Sequence, residues 1–111
     1  MIIDVKHGAR LKQINDPFLT VARIAFELWQ EEGLIPCVTS GSDGNHLSES
    51  YHWQGLAWDW RIWHLIDPWK TAARLQVKLR EIDPAYDVVF GDAGHKDHIH
   101  TEYDLKKKGG D

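Results

Sequence analysis

Apolar positions recur along the chain with two different periods. From Phe18, the residues Val21, Ala22, Ala25, Leu28 and Trp29 follow at three- and four-residue spacing, which gathers them on one stripe of a helix facing a core. Asp16-Pro17 supplies an N-cap and a proline preset for the first turn, and Gly33 offers a left-handed stop. A helix is therefore predicted from Pro17 to about Glu32. The same cap-then-proline signal at Asp67-Pro68 starts a second helix, to about Ile82 and ended before Pro84. Its stripe is Ala72, Leu75, Leu79 and Ile82, with Lys70, Arg74, Lys78 and Arg80 on the solvent side.

The other period is two. Leu56 to Trp63 alternates so that Leu56, Trp58 and Trp60 share one face and Ala57, Asp59 and Arg61 the other, as in a strand. The tryptophan face belongs to the core, which leaves Asp59 on the opposite side. Leu34 to Ser40 is apolar and bounded by glycines, the mark of a short buried strand. Asp87–Phe90, the turn formers Gly91 to Gly94, and His98–Tyr103 read as an antiparallel hairpin. Ile2, Ile3 and Val5 can add a short strand, broken by Gly8. Residues 41–50 are dense in turn formers and read as loop. Two helices and non-alternating strands point to an α+β fold, with the helices packed on a small antiparallel sheet.

Composition changes this picture little. A chain of 111 residues, 42% hydrophobic and 27% charged, suits one domain around one core rather than a disordered segment. Net charge is −4 with His neutral, and the basic residues are scattered apart from Lys106-Lys107-Lys108, read as a solvated, fraying tail. No basic stripe suggests a nucleic-acid partner. No stretch matches an export signal or a membrane span, so the expectation is a soluble chain made in the cytoplasm, with no membrane insertion and no obligate protein partner. Cys37 is the sole cysteine, which excludes an intrachain disulfide or a thiolate-rich zinc site. It reads as a small core residue.

The candidate chemistry lies in His52, Asp59 and the Asp97-His-Ile-His100 segment. Residues two apart on a strand share a face, so His98 and His100 project together. His52 and Asp59, separated by Gly55, can join them. Two neutral imidazoles and one carboxylate suit Zn²⁺ with a fourth position left to water, and hydrolysis of an amide is the natural chemistry. Such a reaction needs a base and a donor to the developing oxyanion, group types that Asp97 and His98 supply. In a regular strand Asp97 faces away from both histidines. Asp92 and Glu102 are therefore alternative bases, and His95 a further acid or base.

The stretch ending at Asp59, VTSGSDGNHLSESYHWQGLAWD, resembles the matching part of the hedgehog signalling domain and of the zinc DD-peptidases that share its fold. The family's pattern Ser-x-x-His-x-x-Gly-x-Ala-x-Asp is kept at His52, Gly55, Ala57 and Asp59, while Ser50 stands two residues before the histidine, as in the hedgehog-like branch. Asp97-His98-Ile99-His100 resembles the closing motif, an acidic residue three before the last zinc-binding histidine. The likeness covers residues 35–104.

The resemblance implies the hedgehog/DD-peptidase fold, Zn²⁺ held by His52, Asp59 and His100, Asp97 as general base and His98 as transition-state stabiliser. The expected substrates are peptidoglycan peptides, cut at D-Ala-D-Ala or L-Ala-D-Glu bonds by carboxypeptidases or phage lysins that act at the cell wall. Many bacterial members grip a substrate carboxylate through an arginine in Ser-Gly-Tyr-Arg, where this chain has Ser40-Gly41-Ser42-Asp43. Arg61, on the Asp59 face, can substitute, and His46 or His95 can touch substrate. Two other readings compete: a non-catalytic zinc-binding interaction module of hedgehog type, and a non-haem Fe(II) oxygenase, whose facial triad is also two histidines and a carboxylate.

Overall fold

A computed structural model of the chain describes residues 1–42 and 54–108. Its elements are β1 (Asp4–Val5), α1 (Asp16–Gln30), β2 (Cys37–Ser40), β3 (Ala57–Arg61), α2 (Pro68–Ile82), β4 (Tyr86–Val89), β5 (His98–Tyr103) and a terminal helical turn, α3 (Leu105–Lys108). The strands make one sheet in the order β1-β2-β3-β5-β4. The α+β class is as expected, but the sheet is mixed rather than wholly antiparallel. β1 pairs parallel with β2, because the connection between them includes α1 and is long enough to bring the chain back in the same direction.

Local chemistry explains the helix ends. Asn15, not Asp16, caps α1: its Oδ1 accepts from the Phe18 N–H at 2.8 Å, and Pro17 sits in the first turn. Asn15 wins because its backbone is extended, as a cap requires. Gly33, at φ 71°, stops the helix while the N–H groups of Gly33 and Leu34 donate to the carbonyls of Gln30 and Trp29. The strand expected from Leu34 begins only at Cys37, after Pro36, which has no N–H to give a ladder.

In α2, Asp67 caps as predicted, with Oδ1 accepting from the Lys70 N–H at 3.1 Å. Thr71, Ala72, Leu75 and Leu79 are buried, whereas Ile82 is exposed, a correction to the expected stripe. The last turn runs past the core, and buried Ala85 and Tyr86 fill that end instead. The basic residues of α2 are on the solvent side, yet two of them clip elements together. Arg74 makes a paired contact with Glu31 at the end of α1, at 2.7 and 3.0 Å, and Arg80 reaches Asp87 of β4 at 2.8 Å. The Lys run, expected as a fraying tail, lies on the α3 turn.

The core lies between the helices and the tryptophan face of β3. Phe18 and Trp29 of α1 contact Trp58 and Trp60 with ring centroids 5.4–6.4 Å apart. Cys37 is a buried free thiol whose pKa burial pushes up. Among the described residues no helix is long and apolar enough to cross a membrane.

One buried polar group fixes the centre of the sheet. Thr101 of β5 is fully buried; its Oγ1 accepts from the Trp60 indole Nε1–H at 2.9 Å and donates to the Trp58 carbonyl at 2.8 Å. β3 and β5 pair antiparallel with Trp58 opposite Thr101 and Asp59 opposite His100. A slip of one residue would turn every side chain to the wrong face. Thr101→Val keeps the shape but strands the indole N–H, and should cost about 1–3 kcal/mol in urea denaturation, whereas Thr101→Ser should cost less.

Candidate metal and catalytic site

The face of β3 and β5 turned away from the tryptophans carries the candidate chemistry. Arg61, Asp59 and Ala57 stand opposite His98, His100 and Glu102 in register. Asp59 is the hub. Its Oδ1 lies 2.9 Å from His100 Nδ1, and its Oδ2 lies 3.6 Å from His98 Nε2. The far nitrogens of the two rings meet further carboxylates: His98 Nδ1 is 2.6 Å from Asp97 Oδ1 and His100 Nε2 is 2.8 Å from Glu102 Oε1. Carboxylate and imidazole therefore alternate along Asp97, His98, Asp59, His100 and Glu102.

Several local features hold this row. Gly55, at φ 74°, makes the turn that launches β3, and its carbonyl accepts from Asn15 Nδ2 at 2.8 Å, so the cap of α1 also anchors the turn. Across from Asp59, β2 has a register shift between Val38 and Ser40. This bulge brings the Thr39 hydroxyl within 3.4 Å of the Asp59 carbonyl, a device common beside functional sites.

His95 comes in from the β4–β5 loop. Its ring meets that of His98 edge-on and that of His100 at a tilt, with centroids 5.3 and 4.9 Å apart, and Asp92 holds its Nδ1. That loop is latched to α2. Gly91, at φ 93°, lies against the Trp69 ring so closely that an added Cβ would come within 2.0 Å of it, and Trp69 packs edge-on to Phe90.

Burial and charge act on His100 together. Loss of water around it disfavours the imidazolium, but its hydrogen bonds to Asp59 and Glu102 outweigh that and raise its pKa to about 9. Asp97 and Asp92 are both held below the ordinary carboxylate range, chiefly by their histidine hydrogen bonds.

Of the residues predicted from sequence, Asp59, His98, His100 and His95 come together. Asp97 does escape the alternation that would turn it away, because β5 starts at His98 and the preceding bend lets its carboxylate reach that ring. It is nonetheless 92% exposed. Arg61 lies opposite His98 with its guanidinium 4.1 Å above the Trp63 ring. The predicted ligand His52 and the loop residue His46 lie outside the described residues.

A cavity of about 390 Å³ opens beside the row, lined by Lys6, Thr39, Asp59, Arg61, Asp97 and His98 among others. Lys6 and Thr39 were not legible as site residues, since only the parallel docking of β1 and the bulge in β2 bring them there. Glu102 was legible only as a possible base. Its contact with His100 follows from the period-two spacing that puts both on one face.

The donor set suits zinc in type. Asp59 Oδ1 and His100 Nδ1, 2.9 Å apart, are near the separation of roughly 3.3 Å that two ligands at ~2.0–2.1 Å take around tetrahedral Zn²⁺. Among the described residues no group of three or more His, Cys, Asp or Glu is arranged to hold a metal, and the pair depends on a further ligand. The chain has been compared with protein-family models, curated proteins and solved structures, and none matches.

Two outcomes follow. In metal-free protein, a raised His100 pKa stabilises the fold fully below about pH 6.5, the unfolded value, and that contribution is lost as pH rises through about 9. The lowered Asp92 and Asp97 act only in the acid range and leave this window clear. Urea midpoints measured in chelator should thus fall from about pH 6.5 to about 8, below the range in which the raised Cys37 thiol contributes, and the fall should vanish in His100→Gln. Gly91→Ala, strained by both φ and the Trp69 ring, should lose more than about 1 kcal/mol in thermal melts.

Proposed function

We propose that the chain is a zinc-dependent metallopeptidase that hydrolyses peptide bonds of bacterial peptidoglycan stem peptides or crosslinks, with the hedgehog/DD-peptidase fold. The observation that carries this reading is Asp59 placed between His98 and His100 on the face of β3 and β5 opposite the core. A structural zinc site is closed by four protein ligands and needs no further histidine or carboxylate beside an open cavity. Here His98 and Asp97 both line that cavity.

In this reading Asp59 and His100 are zinc ligands, and the sequence resemblance supplies His52 as the third. The bound ion would polarise the scissile carbonyl and make its water acidic. Asp97, its pKa lowered by His98, is ionised at neutral pH and so in the right state to accept a proton. Its hydrogen bond to Nδ1 also orients the His98 ring, with Nε2 toward Asp59. His98 then stands beside the position where the oxyanion develops. Arg61, opposite His98 and lining the same cavity as Lys6, would meet a substrate carboxylate. His95, edge-on to His98 and tilted against His100, is a further group beside both histidines. A compact lysin acting at the cell wall is the setting this chemistry fits.

One observation favours a second reading, a non-catalytic zinc-binding interaction module of hedgehog type. Asp97 is 92% exposed, and a base so open to water gains little from a closed site.

Both readings meet in one experiment. Purified protein is assayed for bound metal and incubated with purified murein, and new peptide termini are identified by mass spectrometry. The peptidase reading expects about one zinc per chain and one class of new terminus. Asp97→Ala should keep its zinc and lose at least ~100-fold in rate, and His100→Ala should lose the metal. Stoichiometric zinc without cleavage of any murein peptide would leave the interaction module.

A further inference from the structure

Glu102 stands two residues beyond His100 on the same strand face, opposite Ala57 of β3 and Asp87 of β4. Ala57 is small and leaves room for the Glu102 side chain to fold along β5 toward the histidine. Asp87 would repel it, but Arg80 holds the Asp87 carboxylate at 2.8 Å. Glu102 Oε1 thus lies 2.8 Å from His100 Nε2, and the pair is largely shielded, with side chains 20% and 9% exposed. The opposite ring nitrogen, Nδ1, faces Asp59. An imidazole has two nitrogens, and in the neutral ring the one that carries the proton donates while the other keeps a lone pair that can accept a hydrogen bond or bind a metal.

We propose that Glu102 is a positioning residue, not a base: it accepts the Nε2–H of His100 and thereby fixes the ring with Nδ1 directed at the Asp59 side, where a metal would be held. Carboxylates in this relation to a ligand histidine commonly raise metal affinity. The assignment rests on the zinc reading above for its consequence, but the Glu102–His100 contact is independent of any metal. It also separates the three carboxylates that the sequence offered as bases. Glu102 orients His100, Asp92 holds His95, and Asp97, which lines the cavity, is left as the candidate base.

The test compares wild type, Glu102→Ala and Glu102→Gln by two measurements. The first is the His100 Nε2–H signal in ¹⁵N-edited NMR of zinc-free protein. It should be a slowly exchanging, hydrogen-bonded proton in wild type, persist in Glu102→Gln, whose amide oxygen still accepts, and disappear in Glu102→Ala. The second is Zn²⁺ affinity by competition with a chromophoric chelator, expected to fall ~10–100-fold in Glu102→Ala and only a few-fold in Glu102→Gln. An unchanged Nε2–H signal in Glu102→Ala overturns the assignment, as does unchanged zinc affinity in a folded Glu102→Ala. Should wild type bind no zinc, the metal reading fails, while the NMR comparison still decides whether Glu102 holds the ring. If Glu102→Ala does not fold, Glu102→Gln serves: both the signal and the affinity must survive in it, and loss of either from the folded protein overturns the assignment.

Discussion

The hydroxyl of Thr101 is the constraint on which the site depends. It lies on the core side of β5, accepts from one tryptophan of β3 and donates to the backbone of another. Both tryptophans are packed by α1, so the helix, the strand pair and the register form one unit. Because side chains alternate along a strand, fixing Trp58 opposite Thr101 also fixes Asp59 opposite His100 on the other face. The apolar half of the protein sets the geometry of the polar half, although the two share no side chain.

Much of this arrangement was legible from residue order. The Asp67-Pro68 start of α2, the glycine stop of α1, the tryptophan face of β3 and the final hairpin all follow from local rules, each acting within a few residues. So does the shared face of His98, His100 and Glu102. What could not be read depends on contacts between distant segments. The parallel docking of β1 depends on where α1 returns the chain, and the bulge opposite Asp59 depends on how β2 meets β3. The cap of α1 was misplaced by one residue because Asn15 and Asp16 have equally suitable side chains, and only backbone conformation separates them. Ile82 kept the right spacing but fell beyond the end of the core.

The row from Asp97 to Glu102 has more negative groups than positive ones. In the described residues that charge is partly offset at His100, whose protonated form the carboxylates on both sides of its ring favour. A divalent cation at the same place would do that work without a proton, so metal uptake and proton release are linked. The two ends of the row also differ in exposure, Asp97 standing open to water and Glu102 lying half-buried against His100.

Asn15 joins α1 to the turn at Gly55 through a single amide, its oxygen accepting from the helix and its nitrogen donating to the turn. The two halves of that amide cannot be replaced separately: aspartate would keep the cap and lose the donor, and serine would keep a short cap without the reach. The entry point of β3 is thus specified forty residues upstream, by a side chain that touches no member of the acidic and imidazole row. Variation at this distant asparagine would be felt at Asp59 as a change of position rather than of chemistry.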